Sequence, residues 1–244
     1  MSKPKPAVLL LDIETAPAVA YVWSLFDQGI PLDRLIQPSR TLCWAAKWHD
    51  RPEIYFDAEW NHQHPAPMLE GIHKLMSYAD AIVTYNGDKF DLPKLMGGFV
   101  EHGGLKPPAP AASIDLYKTV KNLGWTSSKL SHVAPLLGIG QKVKHEGFGL
   151  WSKVMAGDKA AQKRMERYNK NDVRLLGRLY NVLRPFVKTH PYLGQYGSGE
   201  MECPRCGSYK MQARGWRRTR LFRIQRVQCQ SCGGWSEGRK EKIK

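Results

Sequence analysis

Asp12 and Glu14 in LLLDIET, Asp91 in YNGDKFDLP and Asp172 in YNKNDV are the residues of this chain best suited to chemistry. Each sits in a context that can aim its carboxylate into one shared site. Four acids brought together repel one another unless cations neutralise them, and hard divalent ions suit all-oxygen ligands. The chain as a whole is strongly basic, with 37 Lys and Arg against 22 Asp and Glu, a formal net charge of +15. A cation-holding acid cluster in a protein that attracts polyanions points to metal-assisted cleavage of a phosphodiester bond.

The elements that must position these acids follow from hydrophobic periodicity. Residues 8–14 read as a strand, with Val8, Leu10, Asp12 and Glu14 on one face and Leu9, Leu11 and Ile13 on the other. Taken alone, the two acids also fit exposed positions on an edge strand. Further strands are predicted near residues 41–49 and 53–57, then a helix over 67–78 and a buried strand over 81–85. The turn NGDKFD follows, and a helix is predicted over 91–100, ending near 103–104. Asp91 therefore begins a helix, where an acid is also favourable as a cap. A short strand over 113–116, helices over 115–123 and 128–137, and a loop over 138–149 precede a long helix over 158–187. In that helix Met165, Tyr168, Asp172, Leu175, Leu179 and Leu183 recur every three or four residues, so Tyr168 and Asp172 lie on the core-facing stripe. An ionised Asp there needs a metal ion or a neighbouring Lys or Arg. Three strands followed by alternating helices and strands predict an α/β domain with a mixed sheet.

Taken together, D-I-E at 12–14, N-x3-F-D from Asn86 to Asp91, and Y-x3-D from Tyr168 to Asp172 resemble the DEDD 3′–5′ exonucleases of the ribonuclease H-like superfamily. The similarity spans residues 7–187. Tyr168, four residues before Asp172, points to the tyrosine subclass; the histidine subclass carries His at the position held here by Arg167. The resemblance implies a central mixed sheet with helices on both faces. It implies that Asp12 bridges two Mg2+ or Mn2+ ions, that Glu14 and Asp172 hold the ion that activates water, that Asp91 helps position the second, and that Tyr168 orients the attacking water. Among the neighbours, Asn86 would fix the strand-to-helix turn or touch substrate, and Phe90 would pack in the core or wedge against a terminal base, the core being the expectation. Asp88 reads as a solvated turn residue. Asp115 is a candidate supporting acid, and Lys144 and His145 are candidates for approaching a phosphate from their loop.

Cys203, Cys206, Cys229 and Cys232 form C-x2-C-x22-C-x2-C, with Gly after each pair, while Cys43 stands apart. Four thiolates in two such knuckles close a tetrahedral shell around a structural Zn2+, and metal binding should drive the folding of so small a module. The segment resembles a zinc ribbon. Between its knuckles lie Arg214, Trp216, Arg217, Arg218, Arg220, Arg223 and Arg226, a mixture of cations and aromatics suited to phosphates and exposed bases. A packed ribbon with solvated arginines, or a protein-docking module, are the other readings.

Charge is uneven along the chain: residues 190–244 hold 12 basic and 4 acidic side chains, about half of the net excess. The organisation expected is a ribonuclease H-like exonuclease domain at 1–188, a linker at 189–199 rich in Gly, Ser and Pro, and a zinc ribbon at 200–244. No apolar run is long enough to span a membrane. The start, with Lys3 and Lys5 before a short apolar run, is broken by Asp12 and Glu14 and is not read as a leader, so a cytoplasmic location is expected. The function expected is a 3′–5′ exonuclease acting on DNA with single-stranded ends preferred, with nucleic acid as its partner and a polymerase or a replication or repair protein as a further one. A structure-selective endonuclease, an RNA-processing nuclease and a non-catalytic nucleic-acid-binding adaptor are the alternatives.

Overall fold

The computed structural model describes residues 6–26, 29–102, 104–193 and 202–243. The residues of the linker from 194 onward, Gly103, and Lys3 and Lys5 lie outside the described residues. In chain order the elements are β1 (Val8–Ala16), β2 (Val19–Ala20), β3 (Leu35–Gln37), β4 (Arg40–Trp48), β5 (Tyr55–Ala58), α1 (Ala66–Ser77), β6 (Ala81–Thr84), α2 (Asp91–Glu101), β7 (Ala112–Asp115), α3 (Leu116–Lys121), α4 (Leu130–Leu136), α5 (Phe148–Met155), α6 (Lys159–Leu183), β8 (Met211–Arg218), β9 (Phe222–Cys229) and β10 (Trp235–Lys242).

Strand β1 lies at the centre of a five-stranded sheet of order β5-β4-β1-β6-β7. It pairs antiparallel with β4, placing Asp12 opposite Ala45 and Glu14 opposite Cys43, and parallel with β6 over Val8–Leu10. Strands β6 and β7 are parallel, and β4 and β5 antiparallel, so the sheet is mixed. A strand buried on both faces must be apolar on both, which is why VLLL precedes the first acid. Leu9, Leu11, Ile13 and Ile82 pack under α1 and α2 against Met68, Ile72, Leu95 and Phe99. Val8, Leu10, Ala81 and Val83 pack on the other face against α3, α4 and α6, through Leu116, Val133, Leu176, Leu179 and Tyr180. Asp12 and Glu14 continue the Val8–Leu10 face and therefore point toward α6.

Helix α6 crosses close to β1 because residue 177 is glycine: a Cβ there would meet Leu10 Cδ1 at 2.8 Å. Pro185 ends the helix, which closes in a single turn of 3-10 helix at Arg184–Phe186, short of the predicted residue 187. The region 138–149 is not all loop. Gly147, at φ 68°, turns the chain into α5, whose Leu150 and Val154 are buried with Ala161, Met165 and Tyr168.

Between β1 and β4 the chain makes a two-stranded ribbon, β2 with β3, which the periodicity does not predict. Its side chains lie in the open: Trp23 is 89% exposed, Leu25 and Leu32 85%, and Tyr21 and Phe26 nearly as much.

Strands β8, β9 and β10 form a separate antiparallel sheet in the order β10-β9-β8. Its first knuckle is tied to the stretch after α6: Leu193 N–H donates to Pro204 O at 2.7 Å, and Leu193 is buried with Tyr180, Leu183 and Val187. Tyr180 stacks on His190, with its hydroxyl 2.8 Å from His190 Nε2. Among the described residues no helix is long and apolar enough to cross a membrane.

Candidate active site

One carboxylate oxygen from each of Asp12, Glu14 and Asp172 lies within 4.8 Å of the others. Two come from alternate residues of β1 and the third from the buried stripe of α6, where Met165, Tyr168, Asp172, Leu175, Leu179 and Leu183 are all buried. Asp91 joins them from the side. Strand β6 stops pairing with β1 at Leu10, which leaves the β1 edge open beyond it, and Asp91 Oδ1 accepts the Ile13 N–H there at 3.0 Å. So Asp91, though it opens α2, does not act merely as a cap for its own helix.

The turn that delivers Asp91 is tight. Asn86 takes a left-handed φ of 69°, and its N–H donates to Asp115 Oδ1 at 2.7 Å. Gly87 lies so close to Thr84 that a Cβ would sit 2.3 Å from the threonine Cβ. Asp115 also caps α3 through Tyr117 N–H at 3.0 Å, so one carboxylate holds two turns. Asp88 is paired with Lys118 and Ser113 instead of being only solvated. Phe90 departs from the core packing expected of it. It occupies the non-helical residue before α2 and is 40% exposed, lining a groove of about 360 Å3 with Arg40, Lys89, Lys94 and His102.

Packed acids hold their protons more tightly. Burial, then the Asp172 and Asp91 charges, raises Asp12 well above the usual carboxylate range. Burial and Asp172 push Glu14 up to about 8, with Lys142 opposing them. Burial brings Asp91 to about 7 against the pull of the Ile13 hydrogen bond. Desolvation also raises Asp172, opposed by Lys142.

Two residues at this site escape sequence reasoning. Lys142 Nζ lies 2.7 Å from Asp172 Oδ2 and donates to the Tyr168 hydroxyl at 2.9 Å. Its loop is lashed to α6 by Asn171 Nδ2 to Gln141 O at 3.1 Å and by Arg178 to Ile139 O at 2.8 Å. Against the burial that pulls it down, Asp172 and Tyr168 raise the Lys142 ammonium above its ordinary value, so it stays charged. Asn169 Nδ2 donates to Asp12 Oδ2 at 2.6 Å and fixes that side chain. Asn169 is buried on α6 but is not among the residues of the predicted stripe, and Lys142 lies in an aperiodic loop, so neither carries a periodic signal.

Lys142 thus provides the neighbouring cation that a buried Asp172 needs, but only in part. Asp172 Oδ1 is buried and accepts no hydrogen bond among the described residues. One ammonium does not neutralise four acids. Three converging carboxylates, one with an orphaned oxygen, are a fitting donor set for a hard divalent cation. The Tyr168 ring is walled by His145 at 5.0 Å and Trp151 at 6.0 Å. Lys144 is exposed and forms no ion pair with these acids among the described residues.

The four ribbon cysteines also gather, with Sγ atoms within 4.8 Å of one another. Cys203 and Cys232 are 3.6 Å apart and Cys206 and Cys229 3.7 Å. A tetrahedron with arms of about 2.3 Å has edges of about 3.8 Å, so the spacing fits a metal held by four thiolates. On the sheet, Arg223 lies 4.9 Å over the Trp216 ring and pairs with Glu241, and Arg217 pairs with Glu237. Arg214, Arg218, Arg220 and Arg226 are exposed and form no ion pair among the described residues.

A family model described as RNase H superfamily matches residues 43–184. The match begins in β4, so the placement of Asp12 and Glu14 rests on the geometry above. No curated protein matches the chain. Among solved structures, the family B DNA polymerase from the hyperthermophilic archaeon Pyrobaculum calidifontis is similar over 75% of this chain and 25% of its own, at 21% identity and TM-score 0.52. RNase D of Trypanosoma brucei is similar over 75% of this chain and 58% of its own, at 14% identity and TM-score 0.46. Its complex with U12 RNA is similar over 76% and 56%, at 13% identity and TM-score 0.43. The chain therefore spans a quarter of the polymerase and less than two thirds of RNase D, and at these identities the polymerase likeness concerns the fold. With a mixed sheet centred on β1, helices on both faces and a family match over more than half of its 244 residues, the chain belongs to the RNase H superfamily.

Proposed function

We propose that this chain is a metal-dependent nuclease, a 3′–5′ exonuclease that hydrolyses DNA from single-stranded ends. The observation that carries this reading is the convergence of Asp12, Glu14 and Asp172, with the Asp172 Oδ1 atom left without a partner. The 3′ polarity is supported by the D-I-E, N-x3-F-D and Y-x3-D motifs and their resemblance to the tyrosine-subclass exonucleases.

Asp12, Glu14 and Asp172, with Asp91 beside them, would hold two Mg2+ or Mn2+ ions. Bound there, these would supply an activated water and neutralise charge on the leaving 3′ oxygen. The protein's own part is orientation. Asn169 holds the Asp12 carboxylate in place through its bond to Oδ2. Burial lifts the Tyr168 phenol to about 12, so it stays protonated at neutral pH and serves as a hydrogen-bonding group, not as a base. Lys142 fixes that phenol and Asp172 together. The groove beside Phe90, with Lys89 and Lys94 against one acid, Glu101, and with Arg40 held by Glu59, suits a strand approaching from the α2 side.

The division into a nuclease domain at 1–188, a linker at 189–199 and a ribbon at 200–244 belongs to this reading. So does one structural Zn2+ on Cys203, Cys206, Cys229 and Cys232, with the exposed ribbon arginines adding affinity for nucleic acid. The test is direct. DNA and RNA labelled at the 3′ or 5′ end, single- and double-stranded, are incubated with Mg2+, with Mn2+ and with EDTA. Stepwise shortening from the 3′ end of DNA is expected, lost in EDTA and in Asp12→Ala. Internal cuts would indicate an endonuclease, shortening of RNA alone an RNA-processing enzyme, and silence on all substrates a binding protein.

A further inference from the structure

Helix α6 has a second face that the acid site does not use. Its 25 residues carry Lys159, Lys163, Arg164, Arg167, Lys170, Arg174 and Arg178 against two acids, Glu166 and the buried Asp172. At 3.6 residues per turn, Lys159, Lys163, Arg167, Lys170, Arg174 and Arg178 fall within an arc of about 100°, opposite the stripe that holds Tyr168 and Asp172. They follow one another at steps of four, four, three, four and four residues, and so cover about 28 Å, the length of about eight base pairs.

This is not the mixed-sign face of an ordinary solvated helix. Lys159 with Lys163, Lys163 with Arg167, Lys170 with Arg174, and Arg174 with Arg178 are like charges one turn apart, and such pairs repel. Of the row, Lys170 alone pairs with a carboxylate among the described residues, Glu166 at 2.5 Å, while Arg178 donates to Ile139 O. Lys159, Lys163, Arg167 and Arg174 are exposed and make no hydrogen bond or ion pair among the described residues. A second observation extends the row. Arg174 and Arg178 line a cavity of about 310 Å3 with Lys47, His49 and Asn181, and no acidic side chain lines it.

We propose that this outer face of α6, together with that cavity, is a second nucleic-acid-binding surface, which takes phosphodiester backbone away from the scissile position. The helix is about 10 Å thick, so cations on its outer side do not reach the phosphate held at the acids. They hold a part of the substrate that has already passed or not yet entered. The choice of nucleic acid among polyanions rests on the nuclease reading; the charge row itself does not.

The test uses the full chain and K159Q/K163Q/R167Q/R174Q. Binding of a fluorescein-labelled 30-nucleotide strand, and of a 30-base-pair duplex with a 3′ overhang, is followed by anisotropy across salt, without Mg2+ or Mn2+. Each lost phosphate contact lowers the slope of log affinity against log salt by about 0.7 to 0.9, so four lower it by about 3, with affinity at 0.1 M salt falling by at least tenfold. The charge-retaining K159R/K163R/R167K/R174K keeps wild-type slope and affinity. Hydrolysis of thymidine 5′-monophosphate 4-nitrophenyl ester with Mn2+, which needs only the acids, is unchanged in both variants. An unaltered slope in the glutamine variant overturns the proposal, whether or not affinity falls, and leaves another polyanion as the partner of this face. A reduced slope together with a wild type that leaves every labelled DNA and RNA uncut with Mg2+ or Mn2+ upholds the surface and defeats the nuclease reading.

Discussion

Replacing Glu14 by glutamine should make the metal-free protein harder to melt while destroying the proposed activity. In the folded chain Glu14 is held near 8 by burial and by Asp172, whereas an ordinary glutamate loses its proton near 4.5. Below about pH 4.5 both folded and unfolded chains keep the proton and there is no penalty. Between 4.5 and 8 the folded state retains a proton that the unfolded chain has released, so stability falls as pH rises, and it levels off above 8. At pH 7 the 2.5 pH units above 4.5 correspond to a little over 3 kcal/mol at about 1.4 kcal/mol per unit, which partial solvent access to the side chain screens to about 2 to 3 kcal/mol. For a chain of this size each kcal/mol moves Tm by about 2 to 4 °C, so Glu14→Gln should gain roughly 4 to 12 °C at pH 7. Asp91, near 7, adds a pH dependence of the same sign to both proteins. Mg2+ or Mn2+ should raise the wild-type Tm by binding the ionised acids and should raise the variant's less. The assay is thermal unfolding at pH 5, 7 and 8 after dialysis free of Mg2+ and Mn2+, and again with each ion added. A variant that melts at or below wild type at pH 8 without metal refutes the account of these acids as mutually repelling ligands.

Lys142→Ala should lower kcat about 10- to 100-fold by freeing Tyr168 and Asp172, with little change in affinity for a long DNA strand measured without metal; equal kcat would remove Lys142 from the site. Gly177→Ala puts a methyl 2.8 Å from Leu10 Cδ1 and should cost about 1 to 3 kcal/mol, read as a lower Tm. Cys229→Ser, or stripping of the ribbon metal, should unfold β8–β10 while the main sheet persists, and should flatten the salt dependence of DNA binding; unchanged binding in a ribbon shown to be unfolded would deny it a nucleic-acid role.

What could be read in the chain beforehand follows from where period carries information. In β1 a repeat of two placed Asp12 and Glu14 on one face, and in α6 a repeat of 3.6 placed Tyr168 and Asp172 on the buried stripe, as the packing shows. Asp91 could be assigned to a helix start but not to its bond with Ile13, because that bond depends on β6 ending where it does. The sequence offers Lys144 and His145 as the loop's candidates, two and three residues beyond Lys142, the side chain that meets the acids. A loop has no period to say which side chain turns inward, and the lashings from Asn171 and Arg178 that decide it are long-range. The stretch 138–149, rich in Gly and Lys, reads as loop, yet its last two residues open α5, which the burial of Leu150 and Val154 holds in place.

The open ribbon of β2 and β3 has a consequence for how this protein behaves in the tube. Trp23, Leu25, Phe26 and Leu32 are exposed apolar side chains of one short stretch, with Arg34 over the Trp23 ring, and a net charge of +15 opposes the approach of two such molecules. The range of that repulsion shrinks from about 10 Å at 0.1 M salt to about 3 Å at 1 M. High salt, the usual means of stripping bound nucleic acid from a basic protein, therefore also removes the barrier to self-association. Purification that swaps salt for a polyanionic competitor should yield the more dispersed preparation.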